Sequence, residues 1–358
     1  MDAAAMEVAR LVLRQDAGSE AETTPTCEGS NGYDGRMGVR ISSIFVILVG
    51  SLWGAVFPTF AKRARTKLVP AWTFFVAKYF GSGVIIATAF IHLLAPANEA
   101  LGNPCLVGQT ISSDTYPWPE AIALMTAFVM FFLELMTMRH GDEHSVESKR
   151  ITPDEETPPR ASHVRGEDHL GHQRDHMDNS ALGENWESQG IIPETYAAQL
   201  TAVFILEFGV IFHSIFVGLT LAVAGDEFTT LYVVLVFHQT FEGLGLGARL
   251  AEVPWPRSKR WTPYLLGLGY GISTPIAIAI GLGVRTTFAP ESATTLIVNG
   301  IFDSISAGIL IYTGLVELMA HEFMFSPYMQ KGPVSRTLYA FGLMILGAGL
   351  MALLGYWA

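Results

Sequence analysis

Apolar residues gather in eight runs, roughly 41–60, 72–95, 119–138, 197–223, 229–252, 263–284, 293–320 and 336–357. Each run is long enough to take about 20 residues through a bilayer core as an α-helix. The pattern therefore predicts an all-α polytopic membrane protein with eight transmembrane helices. The seventh run is the least apolar, because Asn299, Asp303 and Glu317 interrupt it. One polar break is long. It contains ITPDEETPPR, many charges and few large apolar residues, a composition that predicts disorder. The chain thus divides into a tail (1–40), helices 1–3 (41–138), a loop (139–196) and helices 4–8 (197–357).

Lysine and arginine placement orients these helices. Lys62, Arg63, Arg65 and Lys67 follow helix 1, and Arg139, Lys149, Arg150, Arg160, Arg165 and Arg174 follow helix 3. Arg257, Lys259 and Arg260 follow helix 5, and Lys331 and Arg336 follow helix 7. The alternate connections hold Asp114, Asp226, Glu227 and Glu291, with Arg285 as their clear basic residue. Both termini are therefore expected outside and the 139–196 loop in the cytoplasm. Arg36 and Arg40, just before helix 1, run against this rule. Cys27 and Cys105 then share the oxidising side, where a disulfide between them and two unpaired thiols are equally open readings.

Composition agrees with the helix pattern. The chain has 358 residues, half of them hydrophobic and 15% charged, with a mean hydropathy of +0.35. The net charge of −11 comes from mixed charges without a long basic run, which disfavours nucleic acid as a partner. Many of the 35 glycines fall inside the apolar runs, where small residues let helices approach. The opening MDAAAMEVARLVLRQ lacks the basic first region of a signal peptide. Two cysteines are too few for a disulfide scaffold or a cysteine metal cluster.

Two histidines change the picture. His213 and His238 lie inside helices 4 and 5, where an ionisable side chain is costly and marks a functional path by default. Counted from the shared outer ends, each lies about 15 Å deep, near the midplane. Glu242 follows His238 at i+4, on the same helix face. A short connection makes helices 4 and 5 antiparallel neighbours. Two imidazoles and a carboxylate suit a borderline-soft divalent metal such as zinc. The competing reading is a set of interhelical hydrogen bonds.

Helix 4 carries His213-Ser214 followed by Gly218 (HSxxxG), and helix 5 carries His238-Gln239 followed by Glu242-Gly243 (HQxxEG). Helix 2 contains ATAFIHLLAPA around His92, and helix 7 contains SAGILIYTGLVELMAHEF. These motifs resemble the ZIP (Zrt/Irt-like) family of divalent metal transporters over about residues 40–357 apart from the loop. Within that family the chain is most similar to fungal plasma-membrane zinc uptake proteins. The resemblance implies a multi-pass plasma-membrane protein, not an enzyme, that imports Zn²⁺, with Fe²⁺ or Mn²⁺ as further substrates. It also implies a 3+2+3 inverted-repeat bundle without a cofactor, zinc being the substrate. The implied transport ligands are His213, His238 and Glu242, with Ser214 and Gln239 as weak neutral ones. Some family members hold a second metal through acid or amide ligands beside the first. Here those places carry Ser214, Val217, Gln239 and Thr274, which predicts one principal metal.

Further ionisable residues lie along the same helices. His92 is expected near the outer end of helix 2, as a gate, a helper ligand or a structural hydrogen-bonding residue. Glu207, Asp303, Glu317 and His321 are candidate pathway or exit residues; Glu317 and His321 share one face at i,i+4, where a solvated helix end is the competing reading. Glu134 and Glu207 each read either as a helix tie or as lining the exit path, and Lys78 as a side chain that snorkels to the interface. In the loop, His169, His172 and His176 are spaced to wrap a metal ion. Lys149 is a candidate ubiquitin acceptor, which makes a ubiquitin ligase a candidate partner beside divalent ions and the bilayer. A homodimer is left open. Two other functions compete with transport, an intramembrane zinc hydrolase and a metal-sensing receptor.

Overall fold

A computed structural model describes residues 26–27, 29–64, 70–113, 116–151 and 196–357, with side chains except at 64, 71, 138–151, 196–198 and 327. Among the described residues eight helices are long and apolar enough to cross a membrane, and no strand occurs. They are α1 (Met37–Ala64), α2 (Ala71–Ala87, then Thr88–Leu94 and Ala95–Leu101), α3 (Trp118–Ile151) and α4 (Tyr196–Val223). The rest are α5 (Phe228–Glu252), α6 (Thr262–Gly283), α7 (Ala293–Tyr312, then Thr313–Phe325) and α8 (Val334–Leu354).

The sequence placed most boundaries within a few residues and underestimated three. The backbone of α3 stays helical to Ile151, past the expected end at 138. Helices α2 and α7 also run longer, because each continues through a π-helical stretch, Thr88–Leu94 and Thr313–Phe325. Wide turns of this kind concentrate at functional sites. These two carry His92 in α2 and Glu317, His321 and Glu322 in α7.

Large apolar side chains cover the outside of α1, α3 and α8, including Phe45, Trp53, Phe128, Phe131, Tyr339 and Ile345. Such a surface belongs in hydrocarbon, where each helix satisfies its own backbone. The core lies between helices. Ile85, Leu93, Leu206, Val210, Leu246, Leu250, Tyr270 and Leu310 join α2, α4, α5, α6 and α7 in one cluster. Helices α4 and α5 are not primarily each other's neighbours, as their short connection suggested. Helix α5 packs mainly on α1 and α2, and α4 on α6 and α7.

The motif glycines explain these approaches. A Cβ on Gly218 would lie 2.8 Å from both Thr274 O and Ala277 Cβ, so α4 can cross α6 only with glycine there. A Cβ on Gly243 would meet Tyr270 Cε1 at 2.9 Å and Ser51 O at 3.0 Å, between α6 and α1. Both glycines bring helices together rather than touch an ion.

Arg40 is fully buried at the start of α1. It donates to Leu221 O (3.2 Å), Ala222 O (3.0 Å) and Ala224 O (2.6 Å), carbonyls at and just past the end of α4. Its guanidinium also pairs with Asp34 at 2.7 Å and lies 4.3 Å from the Phe228 ring centroid. Arg36 binds Gly225 O and Asp34. Both guanidiniums thus share the Asp34 carboxylate and are otherwise held largely by backbone carbonyls. Asn31 Nδ2 reaches Arg285 O (2.7 Å) and Phe288 O (2.5 Å). Cys27 and Cys105 form a disulfide. The segment before α1 is thus strapped to three helix connections at one end of the bundle, the disulfide end.

Candidate metal site

His213 and His238 face each other from α4 and α5, with ring centroids 5.8 Å apart. Glu242 stands one turn along α5, its Oε2 3.8 Å from His238 Nε2, too far for a hydrogen bond. All three side chains are buried. His213 Nε2, His238 Nε2 and Glu242 Oε1 find no hydrogen-bond partner in the protein. Buried polar atoms are nearly always paired, so three unpaired ones on the facing turns of α4 and α5 require an explanation, although their ligand atoms do not all come within 4.8 Å of one another. All three are ligand atoms that zinc prefers.

The neutral residues beside them are engaged elsewhere. Gln239 Nε2 donates to Ser214 Oγ at 3.4 Å, and Gln239 Oε1 accepts from the Tyr270 hydroxyl at 2.6 Å. Tyr270 OH also lies 2.7 Å from Gln239 O and 3.4 Å from Glu242 Oε2. Tyr270 escaped the sequence reading, although a tyrosine in mid-span needs a partner for its hydroxyl. Thr274 Oγ1 is buried and unpaired beside the Gly218 crossing. Val217 packs into a separate apolar cluster with Leu221, Phe228 and Ile278.

Two candidates from other helices join the site. His92 does not lie at a helix end, because α2 continues to Leu101. Its ring meets His238 edge-on, centroids 4.6 Å apart, while its Nε2 donates to Met351 O at 2.9 Å. Asp303 Oδ1 on α7 is 3.3 Å from His213 Nδ1. Glu207 lies on α4 near Gly269 of α6, buried and with Oε2 unpaired.

A second cluster lies toward the end opposite the disulfide. Glu134, Glu317 and His321 each offer one ligand atom within 4.8 Å of the others. Glu134 accepts from Tyr312 OH at 2.5 Å. Glu317 is buried against Arg249 (2.8 Å) and lies 3.5 Å from His321 Nδ1, so it is not a solvated helix end. Arg249 also approaches Glu252 (3.4 Å) and Glu322 (3.5 Å). Lys78 does not snorkel outward; it pairs with Glu252 and, at 2.6 Å, with Glu322. Arg249 was missed, although it follows Glu242 by seven residues and so shares its face of α5. His169, His172 and His176 lie outside the described residues, and Lys149 has no described side chain.

The family model for the ZIP zinc transporter matches residues 37–355. Zinc-regulated transporter 2 of Saccharomyces cerevisiae is 44% identical, over 97% of this chain and 99% of that protein. Zinc-regulated transporter 1 of Schizosaccharomyces pombe is 37% identical, over 97% of this chain and 92% of its own length. Zinc transporter 3 of Arabidopsis thaliana is 33% identical, over 93% and 90%. Eight apolar helices, HSxxxG and HQxxEG motifs facing each other mid-bundle, and a match across nearly the whole chain show that it belongs to the ZIP zinc transporter family.

Proposed function

We propose that this chain is a facilitative zinc importer of the plasma membrane, passing Zn²⁺ to the cytosol through His213, His238 and Glu242. One observation carries the proposal: three buried ligand atoms, on two helices whose histidine rings face each other, have no partner in the protein. Asp303 and His92 extend the site, and Glu207 lies along α4 beyond it. Glu134, Glu317 and His321 form the exit group. Fe²⁺ and Mn²⁺ are the further substrates considered.

The disulfide end faces outward in this reading, since a bridge persists on an oxidising side. Both termini then lie outside, and the basic connections lie within the cytosol. The membrane potential supplies about 2.3 kcal/mol per charge per 100 mV to draw a dication inward. The 3+2+3 layout is supported by the packing pairs. Contacts α1–α5 and α3–α7 exchange with α6–α4 and α8–α2 when helices 1–3 are relabelled 6–8 and α4 is exchanged with α5. Ubiquitin attachment at Lys149 and metal capture by His169, His172 and His176 belong to the same proposal. Unchanged turnover of Lys149→Arg in excess zinc would reject the former.

The test is isotopic zinc uptake in zinc-starved cells that lack their own importers, with Fe²⁺, Mn²⁺ and Cd²⁺ as competitors. Uptake by the natural chain, lost in His213→Ala at equal surface abundance, is expected. Absence of uptake overturns the proposal. Flux into proteoliposomes without hydrolysis separates it from an intramembrane hydrolase, and negligible flux would favour a receptor.

A further inference from the structure

We propose that Asp303 is a positioning residue of the transport site, fixing the His213 ring so that Nε2 presents its lone pair to the dication. The inference rests on the reading of His213 as a ligand. Asp303 Oδ1 lies 3.3 Å from His213 Nδ1, and both side chains are buried. A carboxylate only accepts, so the pairing requires a proton on Nδ1. A neutral imidazole has a single N–H, and Nε2 is therefore left as a bare acceptor. That same Nε2 has no partner in the protein. One ring nitrogen is held by a carboxylate, and the other is buried without a partner on a ring whose centroid lies 5.8 Å from that of His238. This is how metal-binding histidines are commonly oriented, with the outer carboxylate fixing the tautomer and strengthening the ligand.

The register that brings the pair together is set next to it. Phe302, adjacent to Asp303, stacks on Phe212, adjacent to His213, with ring centroids 4.4 Å apart. Phe216 extends the stack, 6.0 Å from Phe302. The α4–α7 contact therefore has its own apolar support, and substituting Asp303 leaves that support in place. Asp303 also links α7, which carries the Glu317 and His321 cluster, directly to a ligand of the central site.

The experiment is a double-mutant cycle on the full chain. His213→Ala, Asp303→Ala and their combination are compared for Zn²⁺ affinity in detergent and for KM and Vmax of uptake per surface molecule. Asp303→Ala is expected to weaken Zn²⁺ binding about 10–100-fold, the usual cost of losing an outer-shell partner, and to act mainly through KM. Asp303→Asn keeps an acceptor oxygen and should recover most of that loss. In the His213→Ala background, Asp303→Ala should cost little more, because its effect passes through His213.

Additive losses would overturn the proposal, as would an unchanged affinity in Asp303→Ala while His213→Ala binds poorly. A Co²⁺ absorption spectrum showing one protein ligand fewer in Asp303→Asn would make Asp303 a direct ligand and also overturn it. If His213→Ala itself binds Zn²⁺ normally, the site reading fails instead. Should Asp303→Ala fail to reach the surface, the Asn variant and its cycle with His213→Ala decide the matter.

Discussion

Arg249 on α5 and Glu317 on α7 are joined by a 2.8 Å ion pair inside the bundle. The pair lies about two helical turns along α5 from Glu242. A fixed cation therefore stands between the candidate metal site and the end opposite the disulfide, held by Glu317, Glu252 and Glu322. A dication leaving that way must share those carboxylates with Arg249 or displace it.

Arg249→Ala would strand buried carboxylates. Removing one partner of a buried pair costs about 3–5 kcal/mol, so this variant should unfold at clearly lower temperature and accumulate poorly. Arg249→Lys keeps the charge but not the planar fork and should recover only part of the loss. Thermal unfolding of the purified protein is the measurement; an unchanged midpoint would show that the network contributes nothing.

Arg40 makes three carbonyl contacts at the end of α4 as well as its Asp34 pair. Hydrogen bonds to a charged group contribute about 1.5–3 kcal/mol each. Arg40→Ala should therefore lower stability severely, and Arg40→Lys should rescue it poorly, since one ammonium cannot span the same acceptors. Hydrogen exchange at the α4–α5 connection should rise in both variants. Protection equal to that of the natural chain would reject the capping role.

Asp34 adds a pH dependence to the strap. Its hydrogen bonds to Arg36 and Arg40, in that order, hold its carboxyl below the ordinary value of 3.8. A depressed carboxyl stabilises the fold above its unfolded value and loses that contribution as pH falls through the folded one. The strap should therefore hold through neutral and mildly acidic pH and loosen only below about pH 4. Limited proteolysis of the N-terminal segment against pH, compared with Asp34→Asn, reads this out; release already near pH 6 would argue against it.

The disulfide predicts equivalence. Cys27→Ser, Cys105→Ser and the double variant should share one phenotype, a loss of about 2–4 kcal/mol. Impaired uptake in one single variant with the other unaffected would mean that a cysteine acts outside the bridge.

Metal stoichiometry follows from the engaged amide and hydroxyl. Gln239 and Ser214 bond each other, and Tyr270 caps the remaining Gln239 oxygen. Anomalous scattering from zinc-soaked crystals should show one strong peak at the central site. Two peaks there would refute a mononuclear site. His238→Ala and Glu242→Ala should each reduce zinc uptake more than tenfold at equal surface abundance.

The sequence by itself determined the eight spans, because the bilayer demands about 20 apolar residues per helix wherever the partners lie. It also put His213 and His238 at a similar depth with Glu242 one turn from His238 on the same face, since helical rise and the i+4 relation are local rules. It could not place His92, whose position depends on a π-helical continuation of α2. Nor could it pair His213 with Asp303, 90 residues away, or Lys78 with Glu322 on α7. Arg40 read only as an exception to the placement of basic residues until the end of α4 supplied its carbonyls. Only the tertiary structure decides such pairings, because a buried charge is tolerated according to which distant helix brings its counter-charge, and hydropathy along the chain carries no record of that choice.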